Sequence, residues 1–209
     1  MINRDAKFWD DRFAGAEYTY GETPNAFLAS QRAQFHPGQT ALIPADGEGR
    51  NGVWLAEQGL IATSLDHSEV GITKAAVLAE KRGVPLDTVL TDVFDWDWPE
   101  NHFDHIIFIY FHLPAEGRRE LHRLAAKALR PGGRITLEAF TPKNLIYRAE
   151  NPKVGGPPEE HLLMTAEMLA GDFEGLRPIL LEERDTILRE GKFHDGKAAV
   201  VNAIFERDA

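Results

Sequence analysis

Two features of this sequence carry the residue types of a ligand site: the turn Gly47-Glu48-Gly49 and, further along, Asp66. Glycine lets the backbone bend sharply and lets a ligand approach the main chain. The turn follows a short apolar run, residues 40–43, which suits a buried parallel strand. Residues 50–58 read as a helix, with Val53 and Ala56 inward and Gly59 as its stop. Residues 60–65 read as a second strand that Asp66 ends, and Ser68 is placed to cap the next helix. Parallel strands joined by a helix are neighbours, so their carboxyl ends share one sheet edge. The glycine turn and Asp66 then meet in one crevice, where a carboxylate can accept from both hydroxyls of a ribose. This predicts a nucleoside-cofactor site. Gly47, Gly49 and Gly52 also fit the dinucleotide pattern G-x-G-x-x-G, a pattern too short to choose the nucleoside.

Further chemistry sits at later strand ends. Asp92 follows an apolar run at residues 86–90 and lies at the same predicted edge. It can accept from the exocyclic amino group of an adenine; a turn-forming Asp is the plainer alternative. His112 follows the apolar run 104–110, and Glu138 lies within the run 134–140. These are the two candidates for taking a proton. An acid near the end of a buried strand is costly unless paired or facing a cleft. A histidine at such a turn has the alternative of bonding backbone. His102, His105 and His112 are close in sequence, but a strand spaces them apart, so no metal site is expected.

The elements that must hold these residues alternate β-α-β-α-β, then β-α-β, and close with a hairpin of residues 176–189 and 197–206. Residues 68–82 read as a helix stopped by Gly83, and another begins at Pro114. Arg130-Pro131-Gly132-Gly133 reads as a sharp turn. Residues 141–158 show no periodicity and read as a loop, either a substrate cover or a connector. Residues 165–172 read as a short helix. Ahead of the first strand, a helix at about residues 5–14 puts Phe8, Trp9, Arg12 and Phe13 on one side, and a second spans 25–35. Trp9, Tyr18 and Tyr20, set in polar sequence, are lid candidates; packing on the sheet explains Phe8 and Phe13 equally well.

The chain has 209 residues, 43% hydrophobic and 27% charged, enough for one proper core. A single domain is expected, with residues 1–36 as a helical lid and 37–209 as the core. No apolar run approaches the ~20 residues of a membrane span. Residues 1–13 lack the apolar segment of a signal peptide. There is no cysteine, hence no disulfide and no thiol nucleophile. A net charge of −10 opposes nucleic acid and anionic membranes as partners. The expectation is a cytoplasmic enzyme acting on a small molecule; nothing in the sequence speaks to oligomeric state.

The sequence resembles class I S-adenosylmethionine-dependent methyltransferases, and among them the branch of tellurite-resistance and thiopurine methyltransferases. The resemblance is carried by GEGRN at 47–51, LDHSEVGITKA at 65–75, Asp92, FHLP at 111–114, LRPGG at 129–133, LEAFTP at 137–142 and GGPP at 155–158. It implies an α/β, Rossmann-like seven-stranded sheet in the order 3-2-1-4-5-7-6, strand 7 antiparallel, with helices on both faces. It implies S-adenosyl-L-methionine as cofactor and S-adenosyl-L-homocysteine as product. Gly47 and Gly49 would line the methionine part, Asp66 the ribose, and Asp92 with Val93 the adenine. Arg50, Asn51, His67, Ser68, Phe94 and Phe111 complete the candidate cofactor contacts, and Tyr147 joins Trp9, Tyr18 and Tyr20 around the substrate. The usual family run before the glycines is acid-Leu-Gly-Cys, whereas here it is Ile43-Pro44-Ala45-Asp46. Asp46 is expected to supply the missing carboxylate, near the cofactor's ammonium.

Methyl transfer requires in-line alignment and exclusion of water. A thiolate acceptor needs hardly any help, whereas a hydroxyl or a protonated amine needs a base. The expected acceptor is a small molecule, with thiols and chalcogen compounds among the options. Methyltransferases of nucleobase amines usually carry an Asn/Asp-Pro-Pro-aromatic turn; residues 110–114 are Tyr-Phe-His-Leu-Pro instead. Two other readings remain. A nicotinamide-dependent oxidoreductase fits the glycine pattern, but nothing follows the hairpin to supply a catalytic segment. A non-catalytic binder of the same cofactor fits the altered 43–46 run.

Overall fold

The computed structural model describes residues 5–209; residues 1–4, the start of the predicted lid, lie outside the described residues. The backbone gathers into two compact units, one ending at Asp97 and one running from Trp98 to Ala209.

In the first unit, α1 (Ala6–Phe13) starts where the Asp5 carboxylate accepts the Phe8 N–H at 3.0 Å. The predicted helix at 25–35 is broken into α2 (Ala26–Ser30) and a single 3-10 turn (Arg32–Gln34), because Gln31 departs from helical angles. The apolar run forms β1 (Thr40–Pro44), buried beyond its first residue. The chain then makes α3 (Arg50–Glu57), β2 (Ile61–Asp66), α4 (Glu69–Arg82) and β3 (Asp87–Leu90). The strand pairs β1–β2 and β2–β3 are parallel. Each stop is chemically marked. Gly59 follows α3 with φ +88°, and Gly83 caps α4 in the left-handed conformation. At the other end of α4 the Ser68 hydroxyl accepts the Gly71 N–H at 3.0 Å, satisfying one of the helix's orphan donors.

The second unit runs β4 (Phe103–Ile109), α5 (Ala115–Ala128), β5 (Leu129–Phe140), α6 (Asn144–Glu150), α7 (Ala166–Asp172), β6 (Arg177–Arg189) and β7 (Asp195–Glu206). β4 and β5 are parallel, while β7 runs antiparallel to both β5 and β6. Two expectations are corrected here. The Arg130–Gly133 stretch belongs to β5, with a register shift opposite Phe103 and His105. The tail holds it there: Gly132 N–H donates to Arg207 O and Arg207 N–H to Gly133 O, both at 2.9 Å. The 141–158 segment is no loop throughout, since it contains α6. Buried Asn144 anchors it, its Nδ2 donating to Gly155 O at 3.2 Å and its Oδ1 accepting the Ala199 N–H at 3.1 Å. Phe140, Val154, Leu163, Leu188 and Val200 belong to one buried apolar cluster in this unit.

The seven strands are ordered β3-β2-β1-β4-β5-β7-β6, as the resemblance implied. No helix among the described residues is long and apolar enough to cross a membrane.

Candidate functional site

The turn after β1 is made of residues in unusual backbone conformations. Ala45, Gly47 and Gly49 have φ of +56°, +58° and +86°. Glycine meets that demand freely, whereas an alanine there costs about 1 kcal/mol. Ala45 stands where the resemblance expects a glycine. The glycines also permit close packing. A Cβ on Gly49 would lie 2.5 Å from Ala75 Cβ, and one on Gly52 would strike Ser64 Oγ and come 2.5 Å from Asp46 Oδ2. Helix against helix and helix against strand thus depend on these positions.

Asp66 meets the turn directly. Its Oδ2 accepts the Gly47 N–H and its Oδ1 the Ser68 N–H, both at 2.8 Å. A carboxylate offers about four acceptor positions, so these bonds do not exhaust it. The residue is only 6% exposed, and burial raises its pKa against the pull of those amides. Asp46 is buried beside the same turn. Its Oδ2 accepts from the Ser64 hydroxyl at 2.5 Å and the Gly52 N–H at 3.0 Å. Its Oδ1 is buried with no hydrogen-bond partner. Burial pushes this carboxyl up to about 7, against the bonds from Ser64 and Gly52. An orphaned buried oxygen is costly, and a cationic donor is the group that would satisfy it.

The other predicted cofactor contacts in this unit are partly committed. Asn51 Oδ1 accepts the Asn25 N–H at 2.9 Å, tying α3 to the start of α2. Arg50 Nη1 donates to Tyr20 O at 3.4 Å. The Ser68 hydroxyl, besides capping α4, donates to Asp10 Oδ1 at 2.6 Å. That bond, foremost, holds the Asp10 carboxyl below its usual range. At the tip of β3, Asp92 Oδ1 accepts the Phe94 N–H at 2.9 Å, and His67 Nδ1 stands 3.8 Å from Asp92 Oδ2. Val93 is buried, whereas Phe94 is 42% exposed.

The predicted lid lies on this turn. Phe13 is buried, and a Cβ on Gly47 would fall 2.9 Å from its Cζ. Trp9 stacks on Phe13 at 5.5 Å between ring centroids, and Tyr20 meets it edge-on at 6.4 Å. Tyr18 packs against the Val53, Leu78 and Ala79 cluster. The sequence leaves Phe13 evenly placed between core packing and the lid; in the structure it is buried and faces Gly47.

In the second unit, Glu138 is buried and has a partner that the sequence does not announce. The Tyr110 hydroxyl donates to Glu138 Oε1 at 2.6 Å, and the Tyr110 N–H to Glu138 O at 2.8 Å. Tyr110 has φ +55°, a strained conformation for a bulky residue. Its ring stacks on Phe140 at 4.5 Å and meets His194 edge-on at 4.4 Å. His112 lies against the same Phe140. Its Nδ1 is 2.9 Å from Leu162 O, and its Nε2 accepts the Phe140 N–H at 3.3 Å. Nδ1 therefore carries the proton, and both ring nitrogens serve backbone. Phe111 beside it is half-buried. Tyr147 donates to Asp185 Oδ2 at 2.7 Å, with the Lys197 ammonium 4.5 Å over its ring. Among the described residues, no three His, Cys, Asp or Glu side chains converge as a metal-binding group.

Residues 42–133 match the family described as "Methyltransferase domain". No curated protein sequence matches the chain. Solved structures do share its fold. One, from work on the conversion of a disulfide bond into a thioacetal group during echinomycin biosynthesis, superposes with a TM-score of 0.76 at 22% identity, over 98% of this chain and 90% of that one. TehB from Haemophilus influenzae gives 0.70 at 17% identity, over 88% of this chain and 62% of that one. The N-methyltransferase NodS from Bradyrhizobium japonicum WM9, in complex with S-adenosyl-L-homocysteine, gives 0.69 at 15% identity, over 98% of each chain.

Proposed function

We propose that this chain is an S-adenosylmethionine-dependent methyltransferase that works in the cytoplasm on a small-molecule acceptor, with a thiol or chalcogen compound as the favoured class. The observation that carries the reading is Asp66, buried and bonded to the Gly47 N–H at the turn, inside the stretch that matches a methyltransferase domain. The residues present fit the cofactor. Asp66 has acceptor positions left for a ribose, and the orphaned Asp46 Oδ1 suits an ammonium. Asp92, with Val93 and Phe94, would hold the adenine. When bound, the cofactor supplies a methyl group already activated on a sulfonium.

What remains for the protein is to orient the acceptor and, where the acceptor carries a proton, to remove it. Glu138 and Tyr110 are suited to that task. A proton leaving the acceptor reaches the Tyr110 oxygen as the phenolic proton moves to Glu138 Oε1. His112, with both nitrogens on backbone, positions Phe140 behind Tyr110 and takes no proton. A thiolate acceptor bypasses this relay. The likeness to a structure from disulfide-to-thioacetal chemistry supports a sulfur acceptor. The strained Ala45 in the altered 43–46 run favours one second reading, a non-catalytic binder of the same cofactor.

The test is incubation with S-adenosylmethionine and a panel of thiols, selenols, amines and hydroxyl compounds, read by mass spectrometry. The expected result is a methylated thiol or selenol with matching S-adenosylhomocysteine. Cofactor binding without turnover across the panel would instead support the second reading.

A further inference from the structure

The stretch between α1 and α2 has no regular secondary structure at residues 14–20, yet its backbone converges on one side chain. The Lys74 ammonium, from the middle of α4, donates to Phe13 O at 3.1 Å, Gly15 O at 2.9 Å and Glu17 O at 2.8 Å. It also lies 2.5 Å from Glu48 Oε1 and 4.9 Å over the Tyr18 ring. The Tyr18 hydroxyl returns a bond to Lys74 O at 3.0 Å. Glu48, the residue between the two turn glycines, accepts the Thr19 N–H through Oε2 at 2.8 Å. The two charged side chains are 15% and 4% exposed. One ion pair therefore joins three pieces: the connecting stretch, α4 and the glycine turn. A pair so buried holds firmly, because opening it leaves a charge without compensation.

The stretch held this way ends α1 with Phe13 against Gly47 and Gly71, where a Cβ would come within 2.9 Å and 3.2 Å of its ring. A ligand group that reaches Gly47 from the side of its missing Cβ passes that ring on the way in and on the way out. We infer that Glu48 and Lys74 form a latch that keeps residues 13–20 closed over the glycine turn, and that Lys74 is the positioning residue setting how often adenosyl ligands enter and leave. This rests on the proposed cofactor site. It differs from a merely structural contact in a definite way: loosening a gate speeds entry, whereas loosening a scaffold does not.

The experiment is stopped-flow binding of S-adenosylhomocysteine to the full chain, wild type against Lys74→Met. Glu48→Gln serves as the second variant, since it removes the charge yet leaves an acceptor for the Thr19 N–H. Thermal unfolding of each shows which variants are folded. Both association and dissociation rates are expected to rise at least about tenfold, with little change in Kd. Hydrogen exchange at the amides of residues 14–20 should quicken in parallel. An unchanged or slower association rate in a folded variant overturns the latch and leaves the cofactor reading intact. Failure of the wild-type chain to bind S-adenosylhomocysteine overturns that reading and the latch with it.

Discussion

Asp66 and Glu138 are both carboxylates near the carboxyl ends of parallel strands, 6% and 5% exposed, yet they are held in opposite ways. Asp66 is gripped by two backbone amides, Gly47 and Ser68. Glu138 is gripped by the phenol of Tyr110, the residue just past the end of β4. A backbone amide keeps its proton, so a carboxylate held by amides is an anchor. A phenol can pass its proton along, so a carboxylate held by a phenol can take part in chemistry. The same division runs through the surroundings of each. Around Asp66 the precision comes from backbone approaching backbone at glycines, and around Glu138 from stacked rings and a histidine that braces them.

Substitutions separate the two constructions, beginning with the most damaging. Gly49→Ala drives a Cβ into the Ala75 side chain and backbone, at a φ of +86°. It should cost at least about 4 kcal/mol, clash and strain together, seen as loss of cooperative unfolding at ordinary temperature. Gly132→Ala has the same kind of φ but open space around it, and should cost only about 1 kcal/mol. Equal losses for the two in thermal melts would contradict the backbone-packed account of the first region.

Asp46 gives a pH signature. Its folded pKa of about 7 lies above the ordinary 3.8, so the folded chain binds this proton more tightly than the unfolded chain. That stabilisation is fully present below about pH 4 and is lost as pH rises through about 7, a change on the order of 4 kcal/mol. Asp46→Asn should remove most of that slope in denaturant titrations across pH, and should stabilise the chain at pH 8. A slope unchanged by the substitution would place the titration elsewhere.

Smaller stability effects are expected at the second carboxylate. Tyr110→Phe and Glu138→Gln should each change stability by about 1 kcal/mol. They should slow methylation of a hydroxyl or protonated amine about 100-fold while sparing a thiolate. Equal slowing for both acceptor classes would mean that the pair only shapes the site. The mildest change is Ala45→Gly, which relieves the left-handed alanine and should raise stability by about 1 kcal/mol in chemical unfolding.

What could be read in advance follows the same line. The unit from β1 to Asp66 is visible in the sequence because apolar run, glycines, helix stop and acid are consecutive, and its element ends lie within a residue of expectation. The strand order also came through, by way of the resemblance. Residues held by distant parts of the chain were not readable. Tyr110 looks like one more residue of a buried strand, since nothing about a tyrosine announces a positive φ or a partner at Glu138. The helix α6 is too short for periodicity to reveal, and its anchor at Asn144 depends on Ala199 in β7. Asp46 was readable as an unusual acid, but its bonds to Ser64 and Gly52 were not. Nor did the spacing reveal that Lys74 gathers three carbonyls of the segment before α2.

Titration calorimetry with S-adenosylhomocysteine, on the wild-type chain and on Asp66→Asn, is the most direct trial of an adenosyl site at the glycine turn. One-site binding by the wild type is predicted, weakened about 30-fold or more by the substitution, since losing one charge-assisted bond costs about 2 kcal/mol. No binding by the wild type, or equal affinity in a folded Asp66→Asn chain, would contradict it.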